Sequence, residues 1–316
     1  FETRGILGKT IDGILLLTDK KLFFFYRSNL SRDKVFIATY PYIVSVLLKE
    51  GLFKSTLVIE NMNESFSISK INKNEAREFY ERLTIDKVTP STSQVTPEEF
   101  KNLYSRLIDE GYDILSLHIS GKLSGTLDSA IQAKKDFPDE RIQLVDSWST
   151  SMAMGFQVLS AARMAASGAT LAECRAVAEK ARENTGVYFV LSTLEFLHRG
   201  GRIGGAQAFM GTMLNLKPLL EIRDGRIEAV ERVRTLSKAI ARLLDLVEAK
   251  ITNETGPIRL CAVHANAPDE GNALLEKAVK RFPTSLVTDA VLSTVSPVLG
   301  THAGPGALGL AYMHSM

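Results

Sequence analysis

Over the first 83 residues, apolar positions come in short β-branched and aromatic runs broken by polar clusters. "GILLLTDKKLFFFYRS" reads as a hairpin about a polar "TDKK" turn, and "KVFIATYPYIVSVLL" and "STLVIENMNESFSIS" supply further strands. "NKNEAREFYERL" has helical spacing. Seven short strands closed by a helix are predicted for this part. From about residue 84 the pattern changes. Short apolar runs ("DILSLHIS", "RIQLVDS", "VYFVLS", "PIRLCAVHA", "TSLVTDAVL") alternate with helical stretches such as "TLDSAIQAKKDF". "KPLLEIRDGRIEAVERV" reads as a hairpin about Asp224-Gly225. Thr96 followed by Pro97 and Glu99, and Thr170 followed by Glu173, carry the capping-box signature of helix starts. An α/β region is therefore expected after a small, mainly-β module.

Composition sharpens this seam. Residues 1–83 hold two alanines and eight lysines against five arginines, whereas residues 141–316 hold 25 alanines and six lysines against 13 arginines. The two parts differ in compositional origin. At 45% apolar, 23% charged and a formal charge of +2, the 316-residue chain reads as a soluble globular protein of two or three domains, with nothing that calls for nucleic acid. Cys174 and Cys261 alone exclude a disulfide scaffold. "GILLL" and "LFFFY" are cut by Asp19, Lys20 and Lys21, far short of the roughly 20 residues of a membrane span. No signal-like segment follows Phe1, and a cytoplasmic location is expected.

The stretch "ISGKLSGTLDSA", residues 119–130, places serines, glycines and a threonine between a strand and a helix. Such a loop offers hydroxyls and unpaired N–H groups at a helix N-terminus, where an anion is stabilised by both donors and dipole. Catalysis is the competing use of the same residues. Ser124, His302 and Asp146 would make a nucleophile triad, but "GKLSG" is not the G-x-S-x-G elbow. His118, His198, His264, His302 and His314 show no metal-ligand spacing, and no phosphate-loop or dinucleotide fingerprint occurs. A binding protein without its own chemistry, metal or cofactor is expected.

Six segments now carry a resemblance. "TPSTSQVTPEEF", "ISGKLSGTLDSA", "LVDSWSTSMAMG", "LEFLHRGGRIG", "NLKPLLEIRDGRIEAVERVRT" and "GTHAGPGALGLAY" stand in the order and spacing of the DegV family of bacterial fatty-acid-binding proteins, over about 84–316. The resemblance implies two α/β domains, here 84–165 and 166–316, with a long-chain fatty acid between them. It also implies that some members present the acid to a fatty acid kinase. Position by position it places the carboxylate contacts on Thr92, Ser124 and His302, with the N–H groups of Gly125 and Thr126 assisting. The hydroxyls can each donate to a carboxylate oxygen, and a charged imidazole makes its bond charge-assisted.

Arg202 in "HRGGRIGG" is expected either to project from a tight loop toward an acyl phosphate or acidic partner, or to be a surface arginine. An apolar slot for the tail is expected from Phe209, Met210, Met213 and Leu214, and from Met152, Met154 and Phe156. Residues 1–83 resemble the bacterial pleckstrin-homology and GRAM-like domains, which implies an adaptor role and peripheral membrane contact. Lys20, Lys21 and Lys34 are too few and scattered to argue a phosphoinositide site. This module stands where DegV proteins run from a first strand into a "TDS" loop, so the DegV-like region is expected to be incomplete at its N-terminus, with an open sheet edge. The alternative function is an adaptor that acts through the β module beside a degenerate DegV region.

Overall fold

The computed structural model describes residues 6–10, 13–17, 21–27, 33–39, 43–50, 54–61, 65–72, 92–209, 216–251 and 256–316. The chain divides into two compact units, residues 1–91 and 92–316.

In the first unit, β1 (Ile6–Thr10), β2 (Gly13–Leu17), β3 (Lys21–Arg27) and β4 (Asp33–Thr39) form an antiparallel sheet in sequence order. The β2–β3 register, with Leu17 opposite Leu22, is that of the expected hairpin. β5 (Ile43–Glu50), β6 (Lys54–Asn61) and β7 (Ser65–Asn72) form a second antiparallel sheet. The seven strands match the sequence pattern, and the helix expected at "NKNEAREFYERL" lies outside the described residues.

The second unit begins with α1 (Pro97–Asp109), β8 (Ile114–His118), α2 (Thr126–Lys134) and β9 (Ile142–Asp146). Both capping boxes form as expected. Thr96 Oγ1 accepts the Glu99 N–H at 3.2 Å while Glu99 accepts the Thr96 N–H at 2.8 Å, and Thr170 with Glu173 does the same at the start of α4 (Leu171–Glu183). β8 and β9 are parallel, joined across α2, and pair only with each other among the described residues. Alternation along these strands sorts their side chains onto two faces. Ile114 and Ile142 pack with Phe100 and Tyr104 of α1 and Ala130 and Ala133 of α2. Val145, with Leu115 and Leu117, meets Ala178 of α4 and Ala161 of α3 (Ser151–Ala166) on the other. The expected division at 165/166 falls at the last residue of α3, and both α3 and α4 also reach the next sheet, through Phe156 and Ala181.

That sheet has six strands in the order β12 (Arg226–Val233), β11 (Lys217–Arg223), β10 (Thr185–Val190), β15 (Leu308–His314), β13 (Ile258–His264) and β14 (Val287–Thr294). One face, through Tyr188, Val190, Leu219, Leu260 and Leu310, is covered by α6 (Leu236–Ile251) and α7 (Pro268–Val279) with Leu243, Val247 and Leu274. Part of the other face packs on α3, where Phe156 is 1% exposed among Val187, Cys261, Ala311 and Met313. The short helices α5 (Glu195–Arg199) and α8 (Pro297–Ala303) stand beside the rest of it. The β11–β12 turn has Asp224 at φ 49° and Gly225 at φ 77°, the pair of left-handed residues that a tight hairpin needs. β15 was not anticipated from the pattern, although it is a central strand. No helix among the described residues is long and apolar enough to cross a membrane.

Candidate functional site

A cavity of about 530 Å³ opens on the sheet face turned away from α6 and α7. Its inner wall is apolar because strand alternation aims every second side chain of the sheet into it: Val187 and Phe189 from β10, Ile222 from β11, Ile227 from β12 and Val263 from β13. Leu197 of α5 and Val298, Leu299 and Ala303 of α8 close the opposite side. At one end the lining turns polar, with Thr92, Ser93, Gln94, Ser124, Thr126, Thr150, Ser151, Arg202 and His302. An apolar cavity with a cluster of polar groups in its lining is what a single-headed amphiphile needs.

The polar end joins residues far apart in the chain. Thr92 Oγ1 lies 2.9 Å from His302 Nε2, across 210 positions. His302 Nδ1 is buried, has no partner among the described residues, and faces Gly200, where a Cβ would collide with it. Ser124 Oγ lies 2.8 Å from Thr126 Oγ1 and accepts the Thr126 N–H at 3.3 Å. Gly125 is the N-cap of α2 and provides no side-chain cap. The Gln94 side chain lies where a Cβ on Gly125 would stand, and its amide donates to Ser129 Oγ at 3.0 Å, tying the loop before α1 onto α2. α3 starts at the same cavity without a side-chain cap on Thr150, and Ser151 takes φ 53°. That conformation is costly for a residue with a Cβ.

The electrostatics suit an anion. Burial holds His302 below the usual histidine range, and the neighbouring Arg202 guanidinium lowers it further. Both effects favour the neutral imidazole, and Arg202 carries the positive charge of this end. The N-termini of α2 and α3 face the cavity, neither N-cap residue supplying a side-chain cap, and the Thr126 N–H goes to Ser124 Oγ. Among the described residues no group of three or more His, Cys, Asp or Glu is placed to hold a metal.

Thr92, Ser124, Thr126, Arg202 and His302 all line this one cavity, and Gly125 sits in the loop between Ser124 and Thr126. Arg202 is not the surface arginine of the second expectation. It is half-buried against the cavity wall, donating from Nε to the Leu123 carbonyl at 3.1 Å and from Nη1 to the Gly200 carbonyl at 2.7 Å. The positive φ of Gly201, 69°, turns the chain so that the guanidinium faces back toward the loop holding Ser124. The expected tail wall differs at two of its described residues. Phe156 is a core residue between α3 and the sheet, Phe209 carries Arg232 over its ring, and Met210, Met213 and Leu214 lie outside the described residues. Sequence reasoning missed Ser93, Gln94, Thr150, Ser151 and the sheet residues of the wall. The signal available was the period of two at Val187, Phe189 and Leu191.

Comparison with known proteins agrees with this geometry. The DegV family model matches residues 50–315, and a bacterial PH domain model matches residues 5–84. A DegV domain-containing protein of Streptomyces coelicolor is 42% identical over 221 residues, covering 70% of this chain and 77% of that protein. One of Deinococcus radiodurans is 36% identical over 236 residues, covering 75% and 82%. Among solved structures, a fatty-acid-binding DegV family protein of Thermus thermophilus superposes with a TM-score of 0.69 at 36% identity, covering 80% of this chain and 88% of its own. DegV of Bacillus subtilis, a fatty acid binding protein, gives 0.65 at 31%, covering 76% and 84%. With the fold, the cavity and the matched length in agreement, the chain belongs to the DegV family.

Proposed function

We propose that this protein holds one long-chain fatty acid in the cavity. Its carboxylate would sit among Thr92, Ser124 and His302, with the N–H groups of Gly125 and Thr126 and the charge of Arg202 beside it, and its tail would lie along the sheet. The observation that carries the reading is that one cavity gathers the hydroxyl and imidazole groups while its walls are apolar. Burying an alkyl chain at roughly 0.8 kcal/mol per methylene gives a gross stabilisation on the order of 10 kcal/mol, so the tail supplies affinity and the head orientation. The protein carries no reaction of its own and offers the acid to a kinase that phosphorylates the carboxylate. Native mass spectrometry before and after lipid extraction tests the first step: a mass loss equal to one fatty acid supports it, and a ligand-free protein that takes up no added acid refutes it.

The same arrangement sets a pH dependence. A carboxylate laid against His302 favours the imidazolium and raises a group that burial and Arg202 hold low in the free protein. Between the lowered and the raised value the complex binds one more proton than the free protein. Affinity for an ionised acid therefore rises as pH falls through that window and levels off above it. Calorimetry in buffers of different ionisation heat should register proton uptake in the wild type and none in His302→Gln. Equal uptake in both would assign the proton to another group.

We further propose that residues 1–83 form a separately folded PH/GRAM-like module and that 84–165 and 166–316 are the two halves of the DegV region. Limited proteolysis should then cut within 84–96 and release a stable fragment near 1–83. Resistance across that stretch would mean a merged domain.

A further inference from the structure

We propose that Ser120 is a positioning residue for head-group recognition, working with the tip of the β11–β12 hairpin as a fixed seat for the loop that carries Ser124. The inference rests on the fatty-acid reading above. Ser120 lies four positions before Ser124 and does not itself line the cavity. Its side chain is fully buried, and every polar group it has is engaged. The hydroxyl donates to the Gly225 carbonyl at 2.8 Å and accepts the Lys122 N–H at 3.2 Å. Its backbone N–H donates to the Ser149 carbonyl at 2.9 Å, and its own carbonyl accepts the N–H groups of Leu123 at 2.9 Å and Ser124 at 3.1 Å. One residue thus binds the head-group loop to itself, to the loop after β9, and to the second half of the unit.

The hairpin tip is shaped for this contact. Gly225 takes φ 77°, and a Cβ there would collide with Ser120 Oγ, so the close approach depends on glycine. Lys122 Nζ donates to the neighbouring Asp224 carbonyl at 2.7 Å. The outward-facing carbonyls of a tight turn normally go to water; here both are taken by the head-group loop. Arg202 adds a third tie through the Leu123 carbonyl. Ser124 comes from one half of the unit and His302 from the other, so their separation is set by whatever fixes this loop against the second sheet. The Ser120–Gly225 bond is the buried member of those ties, while the Lys122 bond is exposed.

The test uses the full chain, stripped of lipid and titrated with hexadecanoic acid and with hexadecanol. The alcohol reads tail affinity alone, and the acid-to-alcohol ratio reads the head contact. Ser120→Ala should lower that ratio by about tenfold while alcohol affinity stays within about twofold, a split that general destabilisation does not produce. Gly225→Ala, which keeps the hydroxyl but displaces its acceptor, should lower the ratio in the same way and serves if Ser120→Ala fails to fold. Lys122→Met should change it less. A folded Ser120→Ala or Gly225→Ala protein with the wild-type ratio overturns the positioning role while leaving the fatty-acid reading intact. A wild type that does not distinguish acid from alcohol removes the head-group reading itself, and this inference with it.

Discussion

His302→Ala and Ser124→Ala are each expected to weaken binding of a long-chain fatty acid by about 1.5–3 kcal/mol, the range for a hydrogen bond to a charged group, which is about 10-fold to 150-fold in Kd. His302 is held at the site by Thr92 at 2.9 Å and by the absence of a side chain on Gly200, and Ser124 is presented at the N-terminus of α2. Removing either leaves the apolar walls unchanged, so the methyl ester of the same acid should bind wild type and variants alike. The loss is therefore confined to the acid. Folding should survive, because neither residue belongs to a hydrophobic core cluster. Variants that retain full preference for acid over ester would sink the head-group assignment.

The larger effect is expected from the ligand side. Shortening the acid from hexadecanoic to dodecanoic removes four methylenes, and at about 0.8 kcal/mol each the affinity should fall by about 3 kcal/mol, roughly 200-fold. The wall that makes this so consists of Val187, Phe189, Ile222, Ile227 and Val263, all from the sheet, faced by Leu299 and Ala303 of α8. Affinity should climb with chain length until the cavity of about 530 Å³ is filled, and then stop. A series of saturated acids measured by competition against a fluorescent acyl probe reads this directly. A flat dependence from the shortest acid onward would mean that the tail lies outside the slot.

Much of the molecule was legible in local pattern. The boxes at Thr96 and Thr170 and the turn at Asp224-Gly225 involve residues at most three positions apart, and a short segment has few ways to satisfy its own backbone groups. The seven β runs of the first unit and their β2–β3 turn were readable for the same reason. β15 was not. "LGLAYMH" alternates weakly and carries a glycine and a methionine, and it is a strand because β10 and β13 flank it on both sides, at sequence separations of about 120 and 50 residues. Its small residues are explained by the same packing. Gly309 lies against Phe189, where a side chain would press on the cavity wall.

The site divides along the same line. Thr92, Ser124, Gly125, Thr126, Arg202 and His302 were named from segment resemblance, and the chain alone determined which chemical groups were available: hydroxyls, an imidazole, a guanidinium and helix-start N–H groups. Only the tertiary structure decided which way they face. Arg202 turns inward because the backbone reverses at Gly201 and the carbonyls of Leu123 and Gly200 take its donors. Phe156 is buried between α3 and the strands, while alternation directs Val187 and Phe189 into the cavity, so the sheet forms the described wall where Phe156 was expected. Hydrophobicity along a sequence marks which side chains leave water. Whether they meet one another or line a space for a ligand depends on the distance between packed layers, which no single segment contains.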